Sequence, residues 1–510
     1  MMWAATAMAA AKPNLAFVLA DDWGWGDAGA YAKLVNGGDK PPVTPHLDRM
    51  ASEGTMFTRF HTLASVCSPS RTSWLTGSWP LASRLAYIWQ CDHDANAAIG
   101  QSDYLNLSVP FLPRLLRQNG YRAAHYGKWH LGCTPDAPGV NAYGFDDSAT
   151  YVSNGKTSEQ IGDFGDQWFP ANSSRMIVDR GIAFVNASLK ARQPFYLNLW
   201  LHISHAPLHP TPDQLVGFNA SQYCPFSGMP PGKIHADDVW SWCPIAIFRA
   251  SQHEADAQIG RFLHRLRQPD LAASTLVLFS GDNGPEDQHV YLHSVGSAGV
   301  YRGRKRSLYE GGVSTPLIAW WPGRVPADRV SAADVASIDW FETAAALAGV
   351  ALPPPAAAWV RGVDASAVLL GEATAAPRRT HPLVWDYRFS MPGKCYHQSP
   401  MMSIVHSDVP NHPDVQWKLL MSPNRTRVEL YNLTADVAEF VTVDAPDVVA
   451  FLAPLLEEWE ASMPVHTPPD KVRLNPGCVA NGGGAFGGDT AVVEVAPEGA
   501  SERRRLYELA

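Results

Sequence analysis

The densest chemistry in the chain lies between Ser65 and Gly77, which run Ser-Val-Cys-Ser-Pro-Ser-Arg-Thr-Ser-Trp-Leu-Thr-Gly. Pro69 suits the first turn of a helix running on to Leu75. Cys67 then falls at the helix N-terminus, where free N–H groups and the dipole favour an anion. Arg71, one turn on, shares that face and can reach back. A lone Cys-x-Pro would be an ordinary buried or disulfide-bonded cysteine; the full segment is far more specific. Two acid pairs, Asp21-Asp22 and Asp282-Asn283, offer only oxygen ligands, a set suited to a hard cation such as calcium or magnesium. Taken singly, each pair is a cap or turn signal. Together, both at strand ends, they point to a metal. His202 and His205 could move protons, and His209 lies close in sequence.

Elements must bring these residues to one place. Three short apolar runs, Asn14–Leu19, Phe195–Trp200 and Thr275–Phe279, fit strands buried on both faces. Each leads straight into the acids or histidines above. In open α/β sheets ligands sit beyond the carboxyl ends of the strands. The alternation of such runs with helical stretches predicts an α/β fold, a large mainly parallel sheet sandwiched by helices. This catalytic domain is expected over 13–378. A Pro/Ala stretch, Leu352–Ala358, interrupts the pattern. Strands at Trp417–Leu420 and Val428–Tyr431 and a helix over Val448–Ser462 predict a smaller C-terminal α+β domain, 379–465. A poorly ordered tail is expected from 466 to 510.

Composition sets the limits. The chain has 510 residues, 46% hydrophobic and 17% charged, with 18 Trp, so it has material for a large core and is not a disordered chain. No apolar run is long enough for a membrane span. A net charge of −9, with no basic tract to offset it, argues against nucleic acid as a partner. Residues 1–12 form at most a weak signal segment. Sequons at Asn106, Asn172, Asn186, Asn219, Asn424 and Asn432 favour a secretory route, secreted or lysosome-like.

The Cys67-Ser68-Pro69-Ser70-Arg71 segment resembles the signature of the type I sulfatases, members of the alkaline-phosphatase-like superfamily. The resemblance continues through Asp21–Asp27, Thr44–Asp48, Gly127-Lys128-Trp129-His130, Gly281–Gly284, and Lys305 ahead of Glu310-Gly311-Gly312. It covers most of residues 13–325 and thins beyond Asp364. The chain departs from the second family signature at Ala123 and Tyr126, where the family prefers Ser or Thr and a small residue; this reads as a packing change.

The resemblance implies that Cys67 is oxidised to formylglycine (3-oxoalanine) by a formylglycine-generating enzyme. It implies one divalent cation, Ca2+ before Mg2+, held by Asp21, Asp22, position 67, Asp282 and Asn283. Lys128 and Lys305 match sulfate-binding lysines; without the family each would be an ordinary surface lysine. Arg71 and His130 match residues that hold the formylglycine, and His205 matches the histidine that protonates the leaving alcohol. The implied activity is hydrolysis of aryl, carbohydrate or glycosaminoglycan sulfates. A phosphomonoester or phosphonate hydrolase of the same fold and an inactive carbohydrate-binding relative are the alternatives. Conversion of Cys67 leaves six of the seven cysteines, enough for three disulfides whose pairing sequence does not give. The stretch Gln90–Asp103 and the Cys224–Cys243 insertion are expected to shape the substrate pocket.

Overall fold

The structure, a computed structural model, describes residues 12–35, 41–86, 93–98, 100–132, 134, 136–151, 159–160, 166–218, 243–286, 295–388 and 397–464. The expected signal segment up to residue 11, the tail, most of the 224–243 insertion and part of the 90–103 stretch lie outside them. In chain order the strands are β1 (Asn14–Ala20), β2 (Thr55–Phe57), β3 (Phe60–His61), β4 (Arg122–Lys128), β5 (Asp147–Tyr151), β6 (Glu159–Gln160), β7 (Phe195–Trp200), β8 (Thr275–Gly281), β9 (Leu317–Trp320), β10 (Arg329–Ser331), β11 (Val335–Ala336), β12 (Leu383–Asp386), β13 (Met402–His406), β14 (Trp417–Met421) and β15 (Val428–Asn432).

Nine of these form one sheet in the order β10-β2-β9-β8-β1-β7-β4-β5-β6. From β8 to β6 all neighbours are parallel. Only β9 runs against both its neighbours. The three apolar runs picked out from sequence are β1, β7 and β8, side by side at the centre. Their composition follows from burial on both faces. Along β1, Ala16, Val18 and Ala20 pack under helices Pro45–Ser52, Phe169–Ala191 and Pro244–Leu266. Leu15, Phe17 and Leu19 face helices Cys67–Thr76, Leu112–Gln118 and Asp339–Leu347 on the other side.

Strands β12 to β15 form a separate four-stranded antiparallel sheet. Helix Pro446–Ser462 covers it through Val448, Leu452 and Leu456, and the same apolar cluster takes in Leu308, Tyr309 and Val313. The C-terminal sheet therefore sits against the segment that carries Lys305. One element differs from expectation: the Pro/Ala stretch is not irregular throughout but forms a short helix, Pro354–Trp359. Its prolines occupy the first turn, where no N–H is needed, and alanines follow. Tyr126 donates from its hydroxyl to Asp147 Oδ2 at 2.7 Å and packs on Phe184, which fits its reading as a packing change.

Candidate active site

The carboxyl ends of β1, β8, β4 and β7 deliver Asp21-Asp22, Asp282-Asn283, Lys128 and His202–His205 to one edge of the sheet. The start of helix Cys67–Thr76 meets them there. Gly127 lets β4 come close enough: at φ 112° its Cβ would stand 1.9 Å from the Trp200 carbonyl oxygen. Ligand atoms of Asp21, Asp22, Cys67 and Asp282 all lie within 4.8 Å of one another, and all four residues are buried. Cys67 Sγ is 3.4 Å from Asp21 Oδ1 and 4.0 Å from Asp22 Oδ1.

Three cations close around these acids. Arg71 donates from Nε and Nη2 to Asp282 Oδ2 at 3.0 and 2.7 Å, and from Nη1 to the Lys128 carbonyl at 3.1 Å. Lys128 Nζ is paired with Asp21, and Lys305 Nζ is 2.7 Å from Asp22. His205 Nε2 stands 3.8 Å from Asp22 Oδ2, with a side chain 27% exposed. His130 has a buried Nδ1 without a hydrogen-bond partner. Asp22 and His130 both hold left-handed backbone, φ 56° and 59°. Such conformations cost a non-glycine residue free energy and gather at functional sites.

Burial pushes the Cys67 thiol well up, more than Lys128 and Lys305 pull it down, so the thiol is protonated at neutral pH. Burial would raise Asp21 as well, but Lys128 with His205, Arg71 and Lys305 holds it well below the carboxylate range. Asp282 stays high, through burial and the Asp21 charge. Burial, then the lysines, keep His205 low, and burial with Lys128 and Arg71 keeps His130 lower still.

One atom bears directly on whether the donor set suits a cation. Asn283 donates from Nδ2 to Asp22 Oδ1 at 2.7 Å, which fixes the amide. Its Oδ1 is buried with no hydrogen-bond partner. A buried, oriented carbonyl oxygen beside three carboxylates fits a hard divalent ion. The acidic cluster could therefore hold a metal ion. A thiol is its one ill-suited member.

Asp21, Asp22, Cys67, Arg71, Lys128, His205, Asp282, Asn283 and Lys305 are brought together here. His202 stays close to His205, with a ligand atom of each and of Asp21 all within 4.8 Å of one another. It is, however, 2% exposed with Nε2 3.1 Å from the Pro207 carbonyl, and His209 packs edge-on against Trp168. Sequence reasoning passed over Thr62 and Ser70, whose hydroxyls both donate to the Asp282 carbonyl. It also passed over Glu286, 3.3 Å from Lys305 Nζ. Glu286 follows Asp282 by four residues, the one local signal available. Of the cysteines expected in disulfides, Cys243 is disulfide-bonded; the other five lie outside the described residues. No helix among the described residues is long and apolar enough to cross a membrane.

Comparison with known proteins agrees with this geometry. N-acetylgalactosamine-6-sulfatase of Canis lupus familiaris is 31% identical over 385 residues, covering 70% of this chain and 66% of its own length, just under two thirds. The structure of the PsFucS1 sulfatase from Pseudoalteromonas sp. superposes with a TM-score of 0.66 at 22% identity, over 90% of this chain and 92% of that one. The phosphonate monoester hydrolase of Silicibacter pomeroyi shares the fold at a TM-score of 0.60 and 19% identity, over 89% and 96%. Fold alone therefore does not separate the chemistries. The sulfatase family model matches residues 13–350, a span that holds Asp21-Asp22, Asp282-Asn283, Cys67, Arg71, both lysines and His205. The chain belongs to the sulfatase family, the type I branch of the alkaline-phosphatase-like superfamily.

Proposed function

We propose that this protein hydrolyses sulfate monoesters of sugars or aryl alcohols, with position 67 as formylglycine and one divalent cation, Ca2+ before Mg2+, held by Asp21, Asp22, Asp282 and Asn283. The observation that carries it is Cys67 Sγ buried 3.4 Å from Asp21 in an otherwise all-oxygen cluster flanked by two lysines. Conversion replaces a protonated thiol with a hydrated aldehyde, which supplies both oxygen ligands and a nucleophilic hydroxyl. When bound, the cation supplies Lewis-acid polarisation.

The chain's own side chains supply the rest. Lys128 and Lys305 balance charge on the sulfate oxygens as the alcohol departs. Arg71 fixes Asp282 through two hydrogen bonds, so that carboxylate cannot turn away. His130, held neutral, accepts a proton from position 67 at its unpartnered Nδ1. Burial and the lysines keep His205 low, and the negative charge of a bound sulfate ester would offset the lysines. The His205 Nε2 then takes up a proton from solvent on the exposed side and gives it to the leaving alcohol oxygen. Maturation needs a formylglycine-generating enzyme, and the secretory pathway, with its sequons and the Cys243 disulfide, is the compartment proposed. Residues 13–378 and 379–465 are proposed as its two domains.

The test is the mass of the peptide containing position 67 in protein from a competent host, read beside activity. Loss of the sulfur and a hydrazide-reactive aldehyde are expected. Active protein with only unmodified cysteine there would overturn the nucleophile. Two tightly bound zinc ions per chain, with phosphonates turned over better than sulfates, would favour the phosphonate hydrolase reading instead.

A further inference from the structure

Lys305 has a cationic neighbour that the reaction above does not use. Arg306 holds left-handed backbone at φ 73°, a region that Cβ sterics disfavour for any residue but glycine. Its N–H donates to the Ser65 carbonyl at 2.8 Å, so this strained residue is fastened to the loop that carries Cys67. Its guanidinium pairs through Nη1 with Glu286.

The exposures differ in a useful way. Glu286 is 2% exposed, whereas the Arg306 side chain is 19% exposed. The acid is sealed from solvent, and the arginine that pairs with it is partly open to solvent. Glu286 also stands 3.3 Å from Lys305 Nζ, so one carboxylate is shared between two cations. Arginine carries five N–H donors, and Nη1 alone bonds Glu286; Nε and Nη2 have no hydrogen bond to another described residue. Tyr387, tied by its N–H to the Met401 carbonyl at 2.8 Å, is buried nearby. Burial pushes its hydroxyl up to about 12, and Arg306, Glu286, Lys305 and Cys67 all act on it. If Arg306 served only to neutralise Glu286, Lys305 would already do so, without left-handed backbone and without exposure.

We propose that Arg306 binds a second anionic group of the substrate, a carboxylate or a second sulfate on the sugar bearing the scissile sulfate or on the next sugar. This rests on the sulfatase reading and deepens it by naming the substrate class as multiply charged saccharide sulfates.

The experiment compares kcat/KM on 4-nitrophenyl sulfate, a hexosamine disulfate and a sulfated hexuronate disaccharide. Wild type is expected to favour the doubly charged probes. Arg306→Gly should lower that preference about ten- to a hundredfold, mainly through KM, as loss of a charge-assisted hydrogen bond does. Glycine accepts φ 73°, so the variant is not expected to fail in folding, and its melting temperature checks this. Arg306→Lys keeps the charge and should retain part of the preference. A loss confined to the disulfate or to the hexuronate identifies which anion is bound. Equal losses on all three probes, or no wild-type preference, overturn the proposal. A wild-type enzyme that hydrolyses none of the probes overturns the sulfatase reading itself.

Discussion

Arg71, Lys128 and Lys305 face Asp21, Asp22 and Asp282 across a site from which water is largely excluded. The two lysines are now bound to carboxylates. A cation engaging those carboxylates would free the ammonium groups for the oxygens of an incoming anion, which would link metal and substrate binding through the same ion pairs. His205 also stands 3.8 Å from Asp22, but its role can be separated from theirs by the choice of leaving group. A nitrophenol leaves with little protonation, whereas a sugar alcohol needs it. General acid assistance is worth about a hundred- to ten-thousandfold. His205→Ala should therefore slow sugar-sulfate turnover by that order and spare nitrophenyl sulfate by comparison. Lys128→Ala removes charge stabilisation that both substrates need and should slow both alike. The ratio of the two rates in each variant is the readout; equal losses in His205→Ala reject the acid role. At this scale the acids, Cys67 and Arg71 were legible because each sits in a short local pattern. Glu286, Thr62 and Arg306 were not, since their partners come from remote segments: Thr62 reaches Asp282 across 220 positions.

The helix Cys67–Thr76 is positioned as much by its end as by its start. It stops at Gly77, whose φ of 65° satisfies the left-handed cap and whose N–H donates to the Ser73 carbonyl at 2.9 Å. A Cβ there would meet Phe341 Cβ at 2.6 Å. Gly77→Ala should thus cost about 1–2 kcal/mol in backbone strain and a further 1–3 kcal/mol, roughly, in overpacking. A melting temperature unchanged from wild type would show that the helix end tolerates the shift. Activity should fall too, because a displaced helix moves Cys67 and Arg71 together. The strands β1, β7 and β8 were legible for a simple reason: burial on both faces leaves an apolar run with no alternation to misread. The Pro354–Trp359 helix was not, because prolines break helices except in the first turn, and only the structure shows that they occupy it.

Across the whole molecule, a buried charge network joins the C-terminal sheet to the segment bearing Lys305. Lys418 on β14 donates to Glu310 Oε1 at 2.7 Å and lies 3.0 Å from Glu439, while His61 on β3 is 2.8 Å from Glu310 and 3.2 Å from Asp334. Glu310 lies five residues after Lys305 in the sequence, and 108 positions separate it from Lys418, a pairing that no local pattern announces. The network also gives the fold a pH dependence. Burial alone would lower His61, but Glu310 and Asp334 raise it to about 9 from an ordinary 6.5. A folded-state value above the unfolded one means that the proton stabilises the fold fully below about 6.5 and that this is lost as pH rises through 9. Glu439, pushed up by burial and by Glu310 against the pull of Lys418, changes stability in the same direction. The His61 contribution is on the order of 3 kcal/mol at most. His61→Gln should therefore melt well below wild type at pH 6, with the gap narrowing toward pH 9.5. Melting curves of both proteins across that range decide it, and a gap that stays constant with pH means that His61 is not charged in the folded protein.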